Sequence, residues 1–299
     1  MAGIAYRVLD VFTDRPLAGN PLAVIPEADG LAPDRMQAIA REFNLSETVF
    51  VVPSDDPDCL ARLRIFAPGM ELPFAGHPVI GTAVLLAGLG TVFGQSVGPN
   101  FTLETGIGRV PCSLRTAGGL THATLVNGAP LNQFGTVAPE LIAACLDIAP
   151  DRITAARHAP TMASKGLPYA LVELVDLPAL AACRPNSAGF ARAEAQHATG
   201  QGPFSVYAYV RRGPEACAAR MFDPLSGIPE DPATGSAAAA LAGFLADLTD
   251  APVRLTIDQG VEMGRPSRIE TEARLRADGG SDVSVSGSAV EVMEGTLRL

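Results

Sequence analysis

The chain has 299 residues, of which 47% are hydrophobic and only 18% charged, enough apolar material to bury a core and form two domains of ordinary size. Its formal net charge is −10, and Lys and Arg are scattered singly rather than in basic runs, which argues against nucleic acid and anionic membrane surfaces as partners. The first residues carry no cationic segment leading into an apolar one, and the longest apolar run, near Ala83 to Leu89, is too short to span a bilayer, so a cytoplasmic location is expected.

Taken in order, Tyr6 to Phe12 and Leu22 to Ile25 read as two strands of a hairpin joined by a polar corner. Met36, Ile39, Ala40 and Phe43 then recur at helical spacing, predicting an amphipathic helix from about Pro33 to Asn44, whose asparagine suits a left-handed cap. That helix leads into a strand over Leu45 to Val52 with Glu47 at its mouth. A strand over Arg62 to Phe66 leads through a Pro/Gly loop into a helix over Pro78 to Leu89, followed by strands over Phe101 to Gly106 and Gly108 to Cys112. A Gly-rich boundary is expected at Gly118-Gly119. Beyond it come a strand over Ala123 to Val126, a helix over Pro139 to Leu146, strands over Tyr169 to Val175 and Phe204 to Val210, an Ala-rich helix from Ala237, and strands over Leu255 to Gly260, Val283 to Ser286 and Ala289 to Val292.

Two stretches of this chain look like copies of one another. Arg64-Ile65-Phe66 leads to Glu71-Leu72-Pro73-Phe74-Ala75-Gly76-His77, and Arg220-Met221-Phe222 leads to Glu230-Asp231-Pro232-Ala233-Thr234-Gly235-Ser236. The arginines are offset by 220 − 64 = 156 and the glutamates by 230 − 71 = 159, so the second copy carries a three-residue insertion. Leu103-Glu104-Thr105-Gly106 and Leu255-Thr256-Ile257-Asp258-Gln259-Gly260 echo each other at a similar offset. Each copy reads as strand, Pro/Gly loop and buried helix. The unpaired first N–H groups of two such helices can hold a carboxylate or a developing oxyanion. The fold expected is α+β, two similar halves with the active cleft between them: residues 1–119, carrying Glu47 and the Gly76-His77 loop, and residues 120–287, carrying the Asp231 to Ser236 loop.

The residues with acid/base capacity are Glu47, His77 and Asp231. Glu47 sits among apolar neighbours, where desolvation raises a carboxyl pKa toward the range of a general acid or base, although an outward-facing edge glutamate fits the same pattern. His77 stands at a helix start, which favours a neutral ring, and it also fits a hydrogen-bonding structural histidine. Asp231 could equally cap its helix. No histidine has a partner at metal-ligand spacing, and the five cysteines are widely spaced without a Cys-x-x-Cys pair, so neither a metal nor a disulfide framework is expected. No dinucleotide fingerprint, Walker loop or Gly-x-Ser-x-Gly elbow is present.

Several motifs match one family in order along nearly the whole chain: Asp10-Val11-Phe12-Thr13 with Gly19-Asn20-Pro21-Leu22-Ala23-Val24; Phe43-Asn44-Leu45-Ser46-Glu47-Thr48-Val49-Phe50; Glu71 to Pro78 with Gly81-Thr82-Ala83; Glu230 to Ala237; and Gln259 to Ser267. In these the chain resembles the PhzF-like proteins of phenazine biosynthesis, within the diaminopimelate-epimerase-like fold. The resemblance implies two halves, each a β-sheet curled around a central helix, a homodimer, and a final strand, about 288–299, returning to the first half. It implies a cofactor-free isomerisation of trans-2,3-dihydro-3-hydroxyanthranilate or a related small unsaturated carboxylate. The glutamate matching Glu47 would move the proton, with His77, Asp231, Gly76, Gly235 and Ser236 lining the site and Asn20 in a matching loop. Epimerases of this fold use one cysteine per half, at positions near Ala75 and Thr234 here, and none of the five cysteines lies close to either in sequence. An isomerase or epimerase of an amino-acid-derived metabolite, and a non-catalytic metabolite-binding module on the same scaffold, are the alternatives.

Overall fold

A computed structural model of the chain describes residues 3–277 and 279–298. In chain order its elements are β1 (Ile4–Val11), β2 (Asn20–Ile25), α1 (Pro33–Phe43), β3 (Thr48–Val52), β4 (Ala61–Phe66), β5 (Glu71–Leu72), α2 (Gly76–Leu89), the short hairpin β6 (Thr91–Val92) with β7 (Gln95–Ser96), β8 (Asn100–Thr105), β9 (Gly108–Ala117) and β10 (Leu120–Asn127). There follow β11 (Asn132–Thr136), α3 (Pro139–Leu146), β12 (Thr161–Ser164), β13 (Pro168–Glu173), α4 (Leu177–Ala182), α5 (Ser187–His197), β14 (Val206–Arg211), β15 (Ala216–Asp223), β16 (Ile228–Asp231), α6 (Gly235–Thr249), β17 (Val253–Gln259), β18 (Ser267–Leu275) and β19 (Ser281–Leu297). The chain divides into two compact units, residues 1–126 with 286–299, and residues 127–285. Among the described residues no helix is long and apolar enough to cross a membrane.

The first unit is a curled sheet around α2. β1 pairs antiparallel with β2 on one side and with β19 on the other, from Ile4 opposite Leu297 to Val11 opposite Ala289. From β2 the order runs parallel to β3, antiparallel to β4, parallel to β8 and antiparallel through β9 to β10. β10 pairs with β19, where Thr124 Oγ1 and Ser286 Oγ lie 2.7 Å apart, and the ring closes. Gly118 and Gly119 both have positive φ and turn β9 into β10. α2 is apolar on every side and buried from His77 to Leu86, as a helix inside a barrel must be. α1 is one-sided instead: Met36, Ile39 and Ala40 pack with Ile25, Phe50 and Phe66 on the outer face of the sheet. Asp34 and Arg41 suit its dipole ends, and Asn44 closes it at φ 50° with its N–H on Ala40 O.

The second unit repeats this plan. β13 runs parallel to β14, which is antiparallel to β15, which is parallel to β17, which is antiparallel to β18. α6 occupies the place of α2, buried from Ala237 to Ala246, and its alanines keep it slim. α3, α4 and α5 cover the outer face, where Phe190, Phe204, Phe222 and Val172 form the second core.

The sequence repeat is an atomic repeat. In the first unit Arg64 holds Glu71 through two bonds of 2.8 and 2.6 Å, with its guanidinium 5.3 Å from the Phe66 ring centre. In the second, Arg220 holds Glu230 at 2.8 and 2.7 Å, with its guanidinium 4.8 Å from the Phe222 ring centre. The three-residue insertion is taken up where Pro224–Ser226 forms a 3₁₀ turn between β15 and β16. The Gly106/Gly260 echo has a steric cause. A Cβ on Gly106 would lie 2.7 Å from Pro73 Cα, and one on Gly260 would lie 2.6 Å from Pro232 O. In each unit a glycine after the strand that follows the central helix lets the backbone press against the proline two residues past the ion-paired glutamate.

Candidate active site

In the first unit the chain leaves α1 through the left-handed Asn44 and places Glu47 one residue before β3, with its side chain 15% exposed. His77 is the second residue of α2 and buried. His77 Nε2 lies 3.4 Å from Glu47 Oε2, without hydrogen-bond geometry, and has no hydrogen-bond partner among the described residues. Burial pushes the imidazole down to about 3, so the ring is neutral at physiological pH and the approach is a polar contact rather than an ion pair. The helix-start argument from sequence gave the right direction, but burial is the cause. Ala75, the N-cap of α2, contributes no side-chain cap, the first turn holds no acidic residue, and, apart from its chain neighbours and its own helix backbone, no described atom lies within 4 Å of where a Gly76 Cβ would stand. The helix start therefore has room beside it and no cap from its own N-cap residue, which suits a carboxylate oxygen. Asn20 lies fully buried at the head of β2 opposite Val11. In the same corner Asp10 accepts the Leu17 N–H at 2.7 Å.

In the second unit Asp231 ends β16, buried, and Gly235 and Ser236 open α6. The loop between them is held from β17. Gln259, fully buried, donates through Nε2 to Asp231 O at 2.8 Å and to Thr234 Oγ1 at 3.0 Å. Its Oε1 accepts from Thr234 N at 3.3 Å and from the Tyr207 hydroxyl at 3.2 Å. The Thr234 hydroxyl in turn donates to Asp231 Oδ2. Ser236 Oγ lies 2.7 Å from Tyr169 Oη. Thr234, Gln259, Tyr169 and Tyr207 are thus neighbours of the expected residues to which sequence reasoning gave no role; Thr234 and Gln259 lie in the matched motifs, and nothing pointed to the two tyrosines.

Ala75 and Thr234, aligned by the repeat, are the N-cap residues of α2 and α6. All five cysteines are buried elsewhere, with burial pushing Cys112 and Cys145 up to about 12 and Cys183 and Cys217 to about 11, so these four are thiols at neutral pH. Among the described residues no group of three or more His, Cys, Asp or Glu could hold a metal ion. What the arrangement offers chemically is a half-buried carboxylate beside a neutral imidazole in one unit, and a braced aspartate beside a helix start in the other.

A family model described as phenazine biosynthesis-like protein, PhzC-PhzF, matches residues 9–295. An uncharacterized isomerase of Mesorhizobium japonicum is 41% identical, over 98% of each chain. A trans-2,3-dihydro-3-hydroxyanthranilate isomerase of Pseudomonas aeruginosa is 37% identical, over 98% of this chain and 99% of its own. Among solved structures, a PhzF-family phenazine biosynthesis protein of Bacillus anthracis covers 100% of both chains with a TM-score of 0.87 at 24% identity, a likeness of fold.

Proposed function

We infer the chemistry of this chain from the family to which it belongs: it is a phenazine biosynthesis-like protein of the PhzC-PhzF family, an isomerase with the diaminopimelate-epimerase-like fold. We propose that Glu47 takes a proton from a carbon made acidic by an adjacent unsaturated system and returns it to another carbon of the same molecule. One carboxylate then serves as base and as acid. The observation that carries this reading is the 3.4 Å approach of Glu47 to a buried, neutral His77. A neutral imidazole neither quenches the carboxylate as a base nor competes with it as a stronger acid. His77 and Asp231 orient the ligand or relay the proton. The α2 start at Gly76 offers a place for a ligand carboxylate in the first unit, where Asn20 contributes a further contact, and the α6 start at Gly235 and Ser236 offers a like place in the second.

The substrate we propose is trans-2,3-dihydro-3-hydroxyanthranilate or a small unsaturated carboxylate like it, supported by the identity to the Pseudomonas isomerase. We further propose a homodimer, as the family resemblance implies, and a cytoplasmic location. The test is NMR of that substrate in D2O with the wild-type protein and with Glu47→Gln. Conversion with deuterium incorporation by wild type alone is expected. Turnover retained in a purified Glu47→Gln variant would remove Glu47 from the mechanism, and no conversion or exchange by wild type would remove this substrate.

A further inference from the structure

Gln259 does more than fill space: all four hydrogen-bonding positions of its amide are used, and their partners fix its direction. A backbone N–H, that of Thr234, can only donate, so the atom facing it at 3.3 Å is the amide oxygen. A backbone carbonyl, that of Asp231, can only accept, so the atom facing it at 2.8 Å is the amide nitrogen. The orientation is therefore set by chemistry. The same nitrogen donates to Thr234 Oγ1 at 3.0 Å. A threonine hydroxyl has one hydrogen, and with its oxygen already accepting from Gln259, that hydrogen goes to Asp231 Oδ2.

We propose that Gln259 and Thr234 form a one-way hydrogen-bond relay that holds Asp231 as an oriented, deprotonated carboxylate, so that Thr234 and Gln259 are positioning residues for the Asp231 side of the site. The proposal rests on Asp231 having the role assigned above. A hydrogen bond donated to a carboxylate stabilises its charged form over the neutral acid, and the Thr234 hydroxyl donates one to Oδ2. The relay is pinned at its far end, because the Tyr207 hydroxyl donates to Gln259 Oε1 and burial keeps that phenol protonated. It is pinned sideways by Gly260, whose φ of +73° and contact with Pro232 keep β17 against the loop. The flanking charges are engaged elsewhere: Arg220 holds Glu230 and stands 4.0 Å from Glu262, and Asp258 is held by Arg212 and Arg268. Among the described residues the first unit shows no such relay: Thr105 stands where Gln259 does and spends its hydroxyl on Gly108 O at 3.2 Å.

The test needs no substrate. The side-chain carboxyl carbon of Asp231, assigned through Asp231→Asn, is titrated by carbon-detected NMR in wild type, Thr234→Val and Thr234→Ser. Thr234→Val keeps the side-chain shape and removes the donor, and it is expected to raise the Asp231 midpoint by about one pH unit, a roughly tenfold gain in proton affinity. Thr234→Ser, which restores the hydroxyl, is expected to return the midpoint to the wild-type value. A purely structural role for Thr234 would lower the melting temperature and leave the midpoint unmoved, and that result overturns the proposal. Should Thr234→Val not fold, Gln259→Met and Thr234→Ala are read in the same way, and an unmoved midpoint in either is equally fatal. Failure of the Glu47 assignment would show separately, as turnover by Glu47→Gln with the Asp231 midpoint still governed by Thr234.

Discussion

His77 should make folding stability depend on pH in a way that one substitution removes. Its folded pKa is depressed from 6.5 to about 3 by burial. In the unfolded chain the same imidazole protonates as pH falls below 6.5, while in the folded protein it stays neutral until about 3. The unfolded state therefore binds the extra proton across that window, and stability rises with pH from about 3 to about 6.5 and is fully present above it. At about pH 5 the unfolded state gains roughly 1.5 pH units' worth of proton binding at about 1.4 kcal/mol each, so His77 alone accounts for a loss of about 2 kcal/mol relative to pH 7.5. Urea unfolding of wild type and His77→Gln at both pH values checks this. His158, also depressed chiefly by burial, and every carboxylate are common to both proteins, so the difference in the two pH drops isolates His77. If wild type and variant lose the same stability on acidification, the ring is not buried neutral and the reading of the Glu47–His77 contact falls with it.

Two glycines should part company under the same substitution. Gly260→Ala sets a Cβ 2.5 Å from Arg265 O and 2.6 Å from Pro232 O at a φ of +73°, and is expected to cost about 3 kcal/mol in urea unfolding. Gly76→Ala meets nothing within 4 Å and should stay within about 1 kcal/mol of wild type, yet its methyl enters the space beside the α2 start and should weaken carboxylate binding about tenfold by calorimetry. The repeated ion pair should also give two answers. Arg220→Met strands Glu230 and the carbonyls of Leu180, Ala181 and Cys183 in a buried place and should cost about 3 kcal/mol, whereas Arg64→Met, at a pair with side chains 20% and 41% exposed, should cost about 1 kcal/mol or less.

The parts legible in the sequence are those where a local pattern has a single structural use. α1 was readable because its apolar spacing, Pro33 and Asn44 all indicate one helix with one buried face. The two loops were readable because Arg64 with Glu71 and Arg220 with Glu230 recur at matched offsets, and each pair closes its turn in the same way. α4 and α5 escaped notice: one has six residues, the other mixes alanines with charges, and both owe their starts to Asp176 and Asn186 side-chain caps that any loop could contain. β18 was masked because residues it buries, such as Ser267 and Thr271, are polar. The relay around Asp231 was beyond reach for a different reason. Gln259 lies 25 residues from Thr234, and Tyr207 lies 52 from Gln259, separations at which only the fold decides who meets whom. The glycine echo was visible, but its reason, a backbone pressed on Pro73 and on Pro232, exists only in three dimensions.

The pairing of β1 with β19 sets a timetable. β1 has β2 on one edge, and the residues that fill its other edge, Ala289 to Leu297, are made only after β2 to β18. Throughout synthesis the N-terminal barrel waits with an open seam, while every strand paired with β13 through β17 has already emerged. The half made first is therefore the half completed last, and a nascent chain stalled before residue 289 would expose the bare edge of β1, an unpaired strand of the kind that invites aggregation or a chaperone.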